Sequence, residues 1–176
     1  MERFCDGDSA AFDALFGRYS REIHRFLTRV VHDPALAEDL TQVTFLSLVR
    51  SRDRYLRGSR VSPWLYAIAT NAARDSLRHR RRRPEDLTRD GETPRDAAEA
   101  PSTFRDPGLE KLVSAALEKL PASQREAVVL HRFHGLSFAE IAEALGTSVG
   151  AVKVRAHRGY EKLRELLQGL SEEGEG

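Results

Sequence analysis

Apolar side chains recur three and four positions apart near the start of the chain, at Phe12, Leu15, Phe16, Tyr19, Ile23, Phe26, Leu27 and Val30. That spacing predicts one long amphipathic helix over about 9–31. Asp33-Pro34 restarts the chain, because Asp accepts from an orphan amide and Pro suits a first helical turn. The second helix then runs to about 52, with Leu36, Leu40, Val43 and either Leu46 or Phe45 and Leu48 as its apolar set. A polar loop at 55–62 holds Gly58, and Ser62-Pro63 reads as the cap and first turn of a third helix towards Arg82, burying Leu65, Ile68, Ala69 and Ala72.

Periodicity stops at 84–106, where Pro, Gly, Asp, Glu, Ser and Thr accumulate, the pattern of a flexible connector. It returns with Leu109, Leu112, Val113, Ala116, Leu117 and Leu120 in a helix that Pro121 ends. Ser123 to Glu126 and Ser137 to Glu140 have the spacing of capping boxes. Ile141, Ala142 and Leu145 form a helix of two turns, Gly146 ends it in the left-handed region, and Ser148 caps the next. No segment alternates as a strand does, so the expected fold is all-α, with two small helical domains at 1–83 and 107–170, a connector at 84–106 and a disordered tail at 171–176.

The charge pattern separates these parts. The chain of 176 residues has a formal net charge of +1, which says little about partners. Residues 1–83 hold 16 Lys+Arg against 10 Asp+Glu, 84–106 hold 3 against 7, and the remainder 9 against 10. A basic block, an acidic connector and a balanced block imply different tasks. No apolar run approaches the ~20 residues of a membrane span, and the acidic N-terminus does not read as a secretory signal, so a cytoplasmic protein with no membrane insertion is expected. Cys5 is the single cysteine. The six histidines form no recognisable catalytic set, and His131 and His134 lack companion metal ligands, so neither an enzyme nor a cofactor or metal site is expected.

The segment 136–167 carries the most specific chemistry. A short helix, a Gly turn and a second helix make a helix-turn-helix. Val152, Ala156, Tyr160, Leu163 and Leu167 form the second helix's inner stripe and leave Lys153, Arg155, His157 and Arg158 outside. Ser148, Gly150 and Ala151 at its start let the backbone approach a DNA duplex and aim amides at phosphate. On spacing alone, an ordinary helical hairpin with a solvated basic face remains open.

The string from Leu136 to Arg164 resembles domain four of bacterial sigma factors of the extracytoplasmic-function group, and Leu120 to Leu130 is similar to that domain's approach helix. Response regulators share such an output domain, so the first block discriminates. Gly7-Asp8 with Phe12 and Tyr19, the run Asp33 to Gln42 with Thr44-Phe45, and Trp64 to Asn71 with Asp75 and Arg78 resemble domain two of the same group. The resemblance implies a subunit that binds core RNA polymerase, through the β′ clamp helices and the β flap, and reads the −10 and −35 promoter elements; an anti-sigma factor is an implied partner. It assigns −35 contacts to Ser148, Gly150, Ala151, Lys153, Val154, Arg155, His157 and Arg158. It assigns the melted −10 strand to Tyr55, Arg57, Arg60, Ser62, Trp64, Asn71, Arg74 and Arg78, a mixture of stacking faces and backbone-tracking cations that single-stranded DNA requires. Polymerase contact falls to Glu38, Asp39, Gln42 and Phe45. Trp64 and Tyr66 also fit core roles, and the arginine run 78–83 also fits a solvated helix end. Val43, Val49, Ala151, Val154 and Ala156 depart from residues common in the group. A stand-alone regulator and a mimic that sequesters an anti-sigma protein are the rival readings.

Overall fold

The computed structural model describes residues 1–82 and 106–173, and side chains as far as Gly169. The connector, apart from Asp106, and residues 174–176 lie outside the described residues. The described elements are helices throughout: α1 (Glu2–Cys5), α2 (Ser9–Val31), α3 (Pro34–Arg50), a 3-10 turn (Arg52–Arg54), α4 (Val61–Arg82), α5 (Pro107–Glu118), α6 (Ala122–Arg132), α7 (Phe138–Leu145) and α8 (Val149–Glu173). They fall into two compact units, α1 to α4 and α5 to α8.

In the first unit, α2, α3 and α4 pack mutually around Ile23, Phe26, Leu27, Leu48, Leu65 and Ala69. Asp8 caps α2 by accepting from the Ala11 amide at 3.3 Å, and Asp33 caps α3 through the Leu36 amide at 3.0 Å. Tyr66 is core, 3% exposed, with its ring edge-on to Phe26 at 5.3 Å; burial pushes its phenol pKa up. The core stripe of α3 is Ala37, Leu40, Thr41, Thr44, Phe45 and Leu48. The expected inner residue Val43 is instead 44% exposed, and of the two alternatives further along the helix Phe45 and Leu48 are the buried pair while Leu46 is 55% exposed. The buried hydroxyls of Thr41 and Thr44 donate to the carbonyls of Ala37 and Leu40, both at 2.7 Å, which lets two threonines occupy core positions.

Two helix starts differ from expectation. α4 begins at Val61, so Ser62 lies inside its first turn and is not its cap; Pro63 is accommodated because first-turn amides have no intrahelical partner. α6 follows Pro121 with no side-chain cap, so the Ser123 capping box does not form, and Glu126 is buried at 2% exposure. The end of α5 is held instead by Arg125, whose guanidinium donates to the carbonyls of Leu117, Glu118 and Leu120 at 2.9, 2.8 and 3.0 Å. The Leu117 and Glu118 carbonyls belong to the last turn of α5, where carbonyls lack i+4 partners in the helix, and the Leu120 carbonyl lies in the turn that follows.

In the second unit, α8 packs along α5, α6 and α7. Ser137 and Glu140 form the expected capping box at α7, and Gly146 closes α7 at φ 61°. α8 continues to Glu173, past the point where the sequence reading ends the domain at 170. Glu is a good helix former, and extending an existing helix adds a bond per residue fixed.

The contact between Arg80 and Asp33, at 2.9 Å, ties the end of α4 to the start of α3. Burial pushes the Asp33 pKa up, but the Leu36 amide and Arg80 outweigh it and hold the carboxyl below its ordinary value. A depressed carboxylate contributes stability above its unfolded pKa of about 4 and loses it as pH falls through the folded value. Asp33→Asn, which keeps a cap acceptor, is therefore expected to be less stable at pH 7 by about 0.5–1 kcal/mol. The gap should narrow progressively as pH falls below about 4 in urea titrations; a gap of unchanged size at about pH 2 would show that charge is not its cause.

Candidate nucleic-acid interface

Ser148 sets the start of the expected reading helix. Its hydroxyl oxygen accepts from the Ala151 amide at 3.2 Å, and its carbonyl accepts from Val152 at 3.1 Å. Val152, Ala156 and Gly159 are buried at spacings of four and three, so one stripe of α8 faces the unit's interior. The opposite side exposes Gly150, Lys153, Val154, His157 and Arg158, with Arg155 half-buried at its flank. Lys153, Arg155 and Arg158 form no ion pair with the described residues, whereas His157 lies 3.3 Å from Glu161. The face thus carries free cations around Val154, an apolar residue 50% exposed. Beneath it, His131 of α6 stacks on Phe138 of α7 at 4.5 Å and shares a 2.8 Å hydrogen bond with the Tyr160 hydroxyl of α8. Tyr160 is an expected member of the inner stripe; its hydrogen bond to His131 and the stacking of His131 on Phe138 lock the three helices, and only proximity in space reveals those contacts.

The expected −10 residues gather on the loop before α4 and on one side of that helix. The Tyr55 ring lies 5.3 Å from that of half-buried Trp64, and the Tyr55 hydroxyl donates to the Ser59 carbonyl, bracing the loop across its mouth. Burial, with Glu2 next, pushes the Tyr55 phenol up, so it stays a donor at neutral pH. Trp64, Asn71, Arg74 and Arg78 follow at steps of seven, three and four along α4, which puts them on one face. Asn71 and Arg78 are exposed and Arg74 half-buried. Arg60 is exposed and Ser62 half-buried. Arg78 pairs with Asp75 at 3.3 Å, and of the expected arginine run Arg80 is engaged by Asp33 while Arg81 and Arg82 are exposed. Arg83 lies outside the described residues. Leu56, at 75% exposure, tops the loop; nothing in its spacing distinguished it from a core leucine.

Arg57 is also exposed but is paired with Asp6, the residue that follows α1, and the Gly58 amide donates to Glu2 Oε1 at 2.8 Å. A four-residue helix is too short for periodicity to reveal, so α1 and these contacts were not anticipated.

On α3, Glu38, Asp39 and Gln42 are exposed and make no ion pair with the described residues. Phe45 does not join them at the surface. It is 3% exposed and packs edge-on against Phe16 at 4.8 Å, so it supports that face from below. Among the described residues no three of His, Cys, Asp and Glu converge as metal ligands, and no helix is long and apolar enough to cross a membrane.

Two all-helical units, one of them a helix-turn-helix with an exposed basic helix, have the architecture of a DNA-binding protein. Sequence comparison assigns the class more narrowly. The family profile described as sigma-70 region 2 matches residues 15–83, and the profile described as sigma-70, region 4 matches 110–173. The RNA polymerase sigma factor CarQ of Myxococcus xanthus is 52% identical over 171 residues, covering 97% of both chains. The RNA polymerase sigma-H factor of Pseudomonas aeruginosa is 34% identical over 98% of this chain and 94% of that protein. Among solved structures, the sigma factor RpoE of Bartonella quintana, in complex with the anti-sigma factor NepR, is similar at a TM-score of 0.72 and 28% identity, over 90% of this chain and 97% of that one. The chain belongs to the extracytoplasmic-function group of RNA polymerase sigma factors in the sigma-70 family.

Proposed function

We propose that the protein joins core RNA polymerase in the cytoplasm and directs initiation by reading two promoter elements at once, acting by binding and not by turnover. The observation that carries this reading is the presence of both sigma regions in one chain, each with an exposed face of the chemistry its task requires. The α8 face presents Lys153, Arg155 and Arg158 for phosphates and guanines, with Val154 offering an apolar contact to a thymine methyl. The Tyr55 to Ser62 loop and the Trp64, Asn71, Arg74, Arg78 face offer stacking surfaces beside cations, suited to a melted strand with one base captured by the loop. Glu38, Asp39 and Gln42 supply an acidic, unpaired patch for the polymerase clamp. Linking the two units makes the second contact intramolecular, which raises its effective concentration at the promoter.

A second reading, a mimic that only sequesters an anti-sigma protein, is favoured by the neighbour solved with such a partner. Regulation by an anti-sigma factor is compatible with both readings, but a mimic has no need of unpaired base-reading cations. Run-off transcription with purified core polymerase over a promoter library separates them: defined starts are expected. Tight binding of an anti-sigma protein with no start on any template would establish the mimic.

A further inference from the structure

The loop assigned to the captured base does not stand alone. Four contacts reach it or its approach from the first six residues of the chain. The Gly58 amide donates to Glu2 Oε1 at 2.8 Å, and the Arg57 guanidinium is paired with Asp6. The Cys5 thiol donates to the Arg52 carbonyl at 3.4 Å, and the Arg52 guanidinium lies over the Phe4 ring at 5.9 Å. Phe4 anchors this segment: it is 6% exposed and packs 5.5 Å from Phe12 of α2. Gly7, at φ 97°, turns the chain from α1 into the Asp8 cap of α2. The carboxylates of Glu2 and Asp6 are thus presented from a fixed base to a loop whose own bracing is the Tyr55 hydroxyl on the Ser59 carbonyl.

We infer that Glu2 and Asp6 are positioning residues for promoter reading: they hold Arg57 and Gly58 so that the loop is already shaped when a −10 base enters it. The inference rests on the reading of this loop as the base pocket. Ordering a loop before binding removes an entropic cost that the complex would otherwise bear. The opposite possibility is that two carboxylates beside a DNA strand act as competitors for its donors. The anchoring of Phe4 argues against that, because a competitor must leave and α1 is packed in place. The exposed Asp6 and Arg57 pair is weak enough to exchange for a phosphate while Glu2 still holds the Gly58 amide.

The test uses the full-length protein in holoenzyme with core polymerase. Fork-junction DNA randomised through the −10 element is selected by the parent, and the best sequence becomes the probe. Glu2→Ala/Asp6→Ala is expected to bind this probe about fivefold more weakly and to select a −10 element with reduced discrimination at the captured base. It should bind a probe abasic at that position as the parent does. Glu2→Gln, which retains an acceptor oxygen for the Gly58 amide, should restore most of the discrimination in the Asp6-intact protein, a rescue that a merely structural role would not produce. Unchanged or tighter binding by the double variant overturns the inference. Arg57→Ala tells the two levels apart: if it loosens base selection while the double variant does not, only the positioning role falls; if neither changes selection, the loop is not the pocket.

Discussion

Gly159→Ala destabilises the second unit, by about 1–3 kcal/mol, although alanine is the better helix former. A Cβ added at Gly159 would lie 2.6 Å from Val128 Cγ2, 3.4 Å from the Gln124 carbonyl oxygen and 3.5 Å from Gln124 Cβ. Val128 is fully buried, and a β-branched side chain in a helix has one strongly preferred rotamer, so it cannot swing aside. The helices must separate, and α8, which carries the reading face, moves relative to α6. Gly17→Ala in α2 is the matched control: its Cβ meets nothing within 4 Å, so the helix-propensity gain of about 1 kcal/mol appears without a steric cost. Urea unfolding of the two variants is expected to move in opposite directions. A stabilised Gly159→Ala protein would show that the α6 and α8 contact yields, and that the glycine is not required for close approach.

This glycine marks where sequence reading stops. Stretches governed by local rules were legible: Asp33-Pro34 starting α3, Ser137 and Glu140 at α7, Gly146 ending it and Ser148 opening α8 all depend on residues within a few positions of one another. The helix-turn-helix and its outward cations followed from those caps plus a period of 3.6. Errors arose where more than one register was compatible with the pattern. On α3, Val43 and Leu46 are as apolar as Phe45 and Leu48, and only packing against α2 and α4 decides which pair is buried. Ser123 sits two positions past the cap, inside the first turn, because α6 begins at Ala122 with Pro121 at its N-cap. Side-chain contacts that no helical period or cap pattern dictates left no trace in one sequence: Arg125 closing α5 from five to eight residues on, His131 meeting Tyr160, and Glu2 and Asp6 reaching the loop 51 and more residues away. The candidate site was therefore readable as a set of chemistries, while the shell that holds it was not.

The proposed division of labour yields a reciprocal pair of expected results. Arg158 is exposed and forms no ion pair with the described residues, so truncating it removes a contact to DNA without breaking one inside the protein. Arg158→Ala should weaken upstream-element binding by about 1–3 kcal/mol, roughly 5- to 150-fold, and lower the salt slope of binding by about one if the contact is to phosphate. Affinity for core polymerase should not change. Asp39, on a different unit and equally unpaired, should behave in reverse: Asp39→Ala weakens assembly with core polymerase about tenfold, a loss of about 1.4 kcal/mol. Once saturating core restores the holoenzyme, its promoter preference is the parent's. Fluorescence titration with core polymerase and salt-varied promoter binding measure the two quantities separately. Because the two residues lie in separate compact units, their effects should add in the double variant. Both defects in each single variant would instead mean that the units are coupled during loading, and the assignment of one task to each face would have to be abandoned.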